Sequence, residues 1–100
     1  MAADYQADIV TSASFAATGS STGSSFPIAS TNTSRKTFSL YNNCSSSLYV
    51  KLGGPASSQV MTVTLALGGL YEMPAPVYTG QVWGLFAATG SGLANAFDMF

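Results

Sequence analysis

Thr37-Phe38-Ser39-Leu40-Tyr41, Asn42-Asn43-Cys44-Ser45-Ser46-Ser47 and Leu48-Tyr49-Val50-Lys51-Leu52 follow one another without a break. A pleated strand sends successive side chains to opposite faces. Phe38 and Leu40 therefore share one face of the first run, while Leu48, Val50 and Leu52 share one face of the second, with Lys51 opposite. The polar cluster between them is built of turn formers. Two alternating runs around such a cluster predict a β-hairpin, which Gly53-Gly54-Pro55 ends.

The same period continues downstream. Val60 to Leu67 places Met61, Val63, Leu65 and Leu67 on one face, with Thr62 and Thr64 on the other. Gly68-Gly69 supplies a turn into the short run Leu70-Tyr71-Glu72-Met73. Pro74-Ala75-Pro76 marks an edge or a crossing, because proline cannot donate to a sheet ladder. Gln81 to Ala87 forms another run, with Val82 and Phe86 opposite Trp83 and Leu85; after Thr89-Gly90-Ser91-Gly92, Leu93 to Asp98 closes the chain. No window carries the 3.6-residue period of a helix. Strands separated by turn signals every ~8–12 residues predict an all-β fold, a small β-sandwich or barrel-like body over residues 35–100.

Upstream of Arg35 the composition changes. Residues 1–34 include Thr18-Gly19-Ser20-Ser21-Thr22-Gly23-Ser24-Ser25, which offers almost nothing to bury. Such a stretch cannot offset its own ordering entropy and reads as an extended N-terminal arm, spanning at most ~120 Å when stretched. Isolated apolar residues punctuate it: Tyr5, Ile9, Val10, Phe15, and Phe26-Pro27-Ile28. These are the candidate anchors by which the arm docks on a neighbour. Burial of one Phe or Ile side chain is worth ~1.5–3 kcal/mol, so several together would order it.

Composition excludes much chemistry. Charged residues are 7% of the chain and the net charge is -1, against a usual charged fraction of ~25%. No basic surface exists to neutralise a nucleic-acid backbone. There is no histidine and one cysteine, Cys44, which removes zinc-finger ligation, histidine-activated nucleophiles and an intramolecular disulfide. Asp4 and Asp8 at the start, with no base, do not form the n-region of a secretory signal. The charge-free stretches 9–34, 52–71 and 73–97 are broken by Ser, Thr, Gly and Pro, and none reads as a membrane span.

Weak candidates for chemistry remain. Asp4, Asp8, Glu72 and Asp98 are the only carboxylates; a glycosidase-like pair needs two that converge, and the plainer reading is charge that aids solubility at strand edges. Cys44 reads as a small loop residue. The paired glycines lack a P-loop's Lys-Ser/Thr and read as hairpin turns. Tyr71, Tyr78 and Trp83 are candidates for an aromatic surface that stacks on sugar rings, with core packing or a protein interface as the alternatives. Neither a cofactor nor a catalytic or metal-binding residue is expected. Ser and Thr occupy 25 positions. Such a nearly uncharged surface favours association, and a body this small needs oligomerisation when metals and disulfides are missing.

The order Arg35-Lys36-Thr37-Phe38-Ser39-Leu40-Tyr41-Asn42, Leu48-Tyr49-Val50-Lys51-Leu52-Gly53, Leu67-Gly68-Gly69-Leu70-Tyr71-Glu72-Met73-Pro74 and Tyr78-Thr79-Gly80-Gln81-Val82-Trp83 resembles the small β-rich virion proteins of tailed bacteriophages. Among these it is most similar to head decoration (cement) proteins. The resemblance covers residues 35–98. It implies a non-enzymatic protein on the outer face of the capsid in the virion, made in the host cytoplasm. It also implies a homo-oligomer, commonly a trimer, that contacts the major capsid protein and bridges capsomers, with no nucleic acid or membrane as partner. The arm would then be a strap across neighbouring subunits. The alternative is a neck, tail or fibre-base structural module, one version of which binds carbohydrate through Trp83 and tyrosines.

Overall fold

The computed structural model describes residues 10–17 and 24–100. Eight strands form: β1 Val10–Ala16, β2 Phe26–Ala29, β3 Thr37–Cys44, β4 Leu48–Leu52, β5 Val63–Leu65, β6 Gly69–Glu72, β7 Val82–Phe86 and β8 Gly92–Met99. They make two four-stranded antiparallel sheets, ordered β1-β8-β3-β6 (sheet A) and β2-β7-β4-β5 (sheet B). The expected all-β sandwich is what the chain forms.

The pairing follows one rule: β1 lies beside β8, β2 beside β7, β3 beside β6 and β4 beside β5. A chain paired this way is one long antiparallel ribbon, rolled so that β3 also meets β8 and β4 also meets β7. This is the strand order of an eight-stranded jelly roll, in which a double sheet limits the number of open edges.

Period-two alternation builds the core. Sheet A turns Phe38, Leu40, Asn42, Cys44, Ala94 and Ala96 inward, and sheet B answers with Ile28, Leu48, Val50, Leu65, Val82 and Phe86. Gly84 faces inward beneath Ile28, where a Cβ would lie 2.6 Å from Ile28 Cδ1. The missing side chain leaves room for the Ile28 side chain to lie across β7.

Several expectations are corrected. The runs 37–41 and 48–52 do not form a hairpin: β3 belongs to sheet A and β4 to sheet B. Both apolar faces need cover, and placing the runs in opposite sheets lets each cover the other. Cys44 is not a loop residue but the fully buried end of β3. The run 60–67 shortens to β5, with Val60 53% and Leu67 61% exposed. Ser57 Oγ accepts from the backbone N–H groups of Gln59 and Val60, and Gly69 N–H donates to the Ala66 carbonyl, so local turns remove both ends of the run.

The boundary at residue 34 also moves. Tyr5 and Ile9 lie outside the described residues, but β1 and β2 are strands of the two sheets and not an arm apart from the body. Their ladders to β8 and β7 satisfy backbone groups that an isolated arm would leave to water.

Candidate interaction surface

Alternation sorts the proposed anchors. Phe15 points inward and packs against Phe26 in a tilted pair at a centroid distance of 5.2 Å, and Phe26 stacks on Phe86 at 5.6 Å. Ile28 is core. These three residues are spent inside their own subunit, which corrects their reading as anchors in a neighbour. Val10 and Pro27 do face outward, Val10 at 58% exposure.

The aromatic candidates do not converge. Trp83 lies on the outer face of sheet B, its Nε1–H donating to Gln81 Oε1 at 3.1 Å. Tyr71, opposite inward Leu40, packs against the core, and burial raises its phenol pKa above the usual value. Tyr78, in the β6–β7 connection, lays its ring over Gly80, with its hydroxyl above Gly53. No shared sugar-stacking platform results from the three.

The carboxylates part in the same way. Glu72 pairs with Ser39, which faces out, whereas Asp98 pairs with Phe38, which is buried. The two acids therefore lie on opposite faces of sheet A. Among the described residues no group of three His, Cys, Asp or Glu side chains gathers to hold a metal, and no helix is long and apolar enough to cross a membrane.

Two polar sites organise the ends of the sandwich, and alternation hid both. At one end the Arg35 side chain is fully buried. Nε and Nη2 donate to the Asp98 carboxylate at 2.8 and 2.9 Å, Nη1 to the Tyr78 and Gly80 carbonyls, and Nη2 also to Ser30. All five guanidinium hydrogens are thus used, and the Phe38 ring lies 5.5 Å below. A lone arginine in so uncharged a chain was the available signal. At the other end Asn42, fully buried, donates to the Ser46 and Leu65 carbonyls and accepts from Cys44 N–H. It ties the β3–β4 crossing to sheet B.

The outer face of sheet A is the surface that stands out. Reading across the register, it carries Val10, Phe97, Tyr41, Leu70 and Leu93. These are five of the seven large hydrophobic residues that are exposed among those described, from 37% for Tyr41 to 58% for Val10. Glu72 is the one charged side chain that the strand registers place on this face. Clustered exposed apolar side chains mark interaction sites, whereas single ones need no explanation. A second feature is a cleft of about 350 Å³ between β1 and β2, lined by Thr11, Ala13, Ile28, Phe38, Ala96 and Asp98 among others.

Compared with protein-family models, curated proteins and solved structures, the chain matches none.

Proposed function

We propose that this protein is a capsid decoration (cement) protein of a tailed bacteriophage, a non-enzymatic subunit that binds the outer face of the shell and bridges neighbouring capsomers. The observation that carries this reading is the apolar outer face of sheet A, which offers the major capsid protein or a sister subunit a nearly uncharged surface. Its five large side chains resemble the uncharged centre of an interface more than a solvated sheet. The jelly-roll strand order adds support by analogy alone, since capsid and lectin domains both use it. The subunit acts as a homo-oligomer, a trimer being the form the phage resemblance implies, and residues before β1, with Tyr5 and Ile9, supply the strap.

The test is copy number in purified particles. Hundreds of copies, near one per shell subunit, support a cement protein; a few or a dozen per particle move it to the neck, tail or fibre base. Absence from particles overturns both. The second reading, a carbohydrate-binding tail module, has one observation in its favour: Trp83 faces outward on sheet B beside Lys51. Glycan binding that is lost in Trp83→Ala would support it.

A further inference from the structure

The registers arrange the outward residues of sheet A in rows across the strands. One row runs Ser12, Phe97, Ser39, Glu72. The next runs Ser14, Asn95, Tyr41, Leu70. On the two central strands large and small side chains stand side by side: Phe97 of β8 beside Ser39 of β3, Tyr41 beside Asn95, and Leu93 beside Asn43. Phe97, Tyr41, Leu93 and Leu70 are 38%, 37%, 44% and 57% exposed. The face is therefore a relief of knobs and hollows, and its centre lies on β8 and β3, each of which has a sheet partner on both sides.

We infer that this face packs on the same face of a second copy, about a two-fold axis that runs along the strands between β8 and β3. A two-fold contact must be self-complementary, and this one is. The axis sets β8 over β3 of the second copy and β1 over β6, and it permits no slip along the strands, so each row meets its own row. Phe97 then lies over Ser39 of the second copy, Leu93 over Asn43, Tyr41 over Asn95 and Leu70 over Ser14. Every large side chain enters a hollow, and Glu72 meets Ser12 instead of another Glu72. An axis across the strands would lay each strand on its own copy and, centred on the face, put Leu70 against Glu72. The hollows are polar, and part of that polarity is already matched. Ser14 Oγ donates to Asn95 Oδ1 at 2.9 Å, which leaves the Asn95 amide N–H to donate to the Tyr41 hydroxyl of the second copy.

Size sets the strength of the contact. Four strands at ~4.8 Å by eight residues at ~3.3 Å project onto roughly 500 Å², against ~800 Å² per partner for a standard interface. Standing side chains raise the accessible area above its projection, so the pair forms reversibly and its population rises with concentration. Stacked sheets keep their strand directions within ~30° of each other, which an axis along the strands satisfies. The pairing deepens the sister-subunit side of the proposed function and rests on that reading for the use of this face, not for the shell. A paired face is closed to a capsid, so the two contacts compete.

The test is sedimentation velocity of the full chain over a concentration series, for the wild type, Phe97→Glu, Ser39→Lys and an equimolar mixture of the two variants. The wild type is expected to pass from monomer to dimer. Phe97→Glu buries an unpaired carboxylate and weakens pairing ~10-fold or more; Ser39→Lys fills the hollow and weakens it as well. In the mixed dimer the new carboxylate lies over the new ammonium, so the mixture is expected to associate more tightly than either variant alone. Leu93→Glu with Asn43→Lys is a second such pair, used where one of the first fails to fold. A concentration-independent monomer or a discrete trimer overturns the pairing, and shell binding that a monomer loses in Phe97→Glu gives the face to the capsid. Variants that dimerise like the wild type overturn the choice of face. A mixture no tighter than either variant overturns the axis. Copy number in particles tests the shell reading separately: a dimer absent from particles keeps the pairing, and a monomer present in hundreds of copies keeps only the shell.

Discussion

Arg35 and Asp98 form a two-point ion pair, Nε to Oδ1 at 2.8 Å and Nη2 to Oδ2 at 2.9 Å, that joins the entry of β3 to the end of β8. The remaining donors hold the Ser30, Tyr78 and Gly80 carbonyls. One guanidinium thus ties the β2–β3 and β6–β7 connections to sheet A.

Truncation of this arginine leaves a half-buried carboxylate and three carbonyls without this partner. Breaking a buried pair from one side costs ~3–5 kcal/mol. Arg35→Ala is expected to lose about that much in urea unfolding. Arg35→Lys keeps the charge but not the fork, and is expected to recover less than half of the loss.

Asn42 makes a parallel case at the opposite end. Asn42→Ala orphans the Ser46 and Leu65 carbonyls and the Cys44 N–H, each at ~1–3 kcal/mol when it stays buried and dry. A loss of about 3 kcal/mol in chemical denaturation is expected. An unchanged midpoint would show that the three groups find water or one another.

Two glycines at positive φ separate backbone strain from crowding. Gly68 has φ +84° with no atom within 4 Å of a built Cβ, whereas Gly92 has φ +94° and its Cβ would overlap the Asn43 carbonyl oxygen. Gly68→Ala is expected to cost ~1–2 kcal/mol for the left-handed backbone alone. Gly92→Ala costs clearly more, as read from thermal unfolding of the two variants side by side.

The outer face of sheet A predicts a split between stability and association. Leu70→Ser and Leu93→Ser change exposed side chains and should shift unfolding by no more than ~0.5 kcal/mol. The double variant should bind less of a hydrophobic dye, aggregate less on heating, and lose occupancy on shells. Full occupancy would remove this face from the docking surface.

Burial raises the Tyr71 phenol above its usual pKa of 10.0. With the folded pKa above the unfolded value, the native state holds its proton more tightly. The stabilisation is complete below about pH 10 and is lost as pH rises through the folded pKa. Absorbance titration of the native protein against Tyr71→Phe should assign the missing, high-pH phenol to this residue.

Alternation made much of the sandwich legible. Phe38 and Leu40, Leu48 and Val50, and Val82 and Phe86 are all inward, as their period implies, because strand periodicity is a local property of the chain. The strength of that signal also misled. It made a hairpin of two runs that lie in different sheets, and an arm of two strands whose partners are 53 or more positions downstream. The Ser/Gly composition around β1 and β2 describes their connection and carries no information about β8 or β7.

The sequence alone determined the class of fold, the inward faces, the near-absence of charge and the lack of histidine chemistry, since each is set by residue type and short-range period. Only the tertiary structure decided which strands pair, that Phe15, Phe26 and Ile28 serve their own core, and that Glu72 and Asp98 face apart. It alone gathered Val10, Tyr41, Leu70, Leu93 and Phe97 on one face. Sheet registers join residues far apart in the chain, and the side on which an apolar residue lies depends on what the opposite sheet can cover.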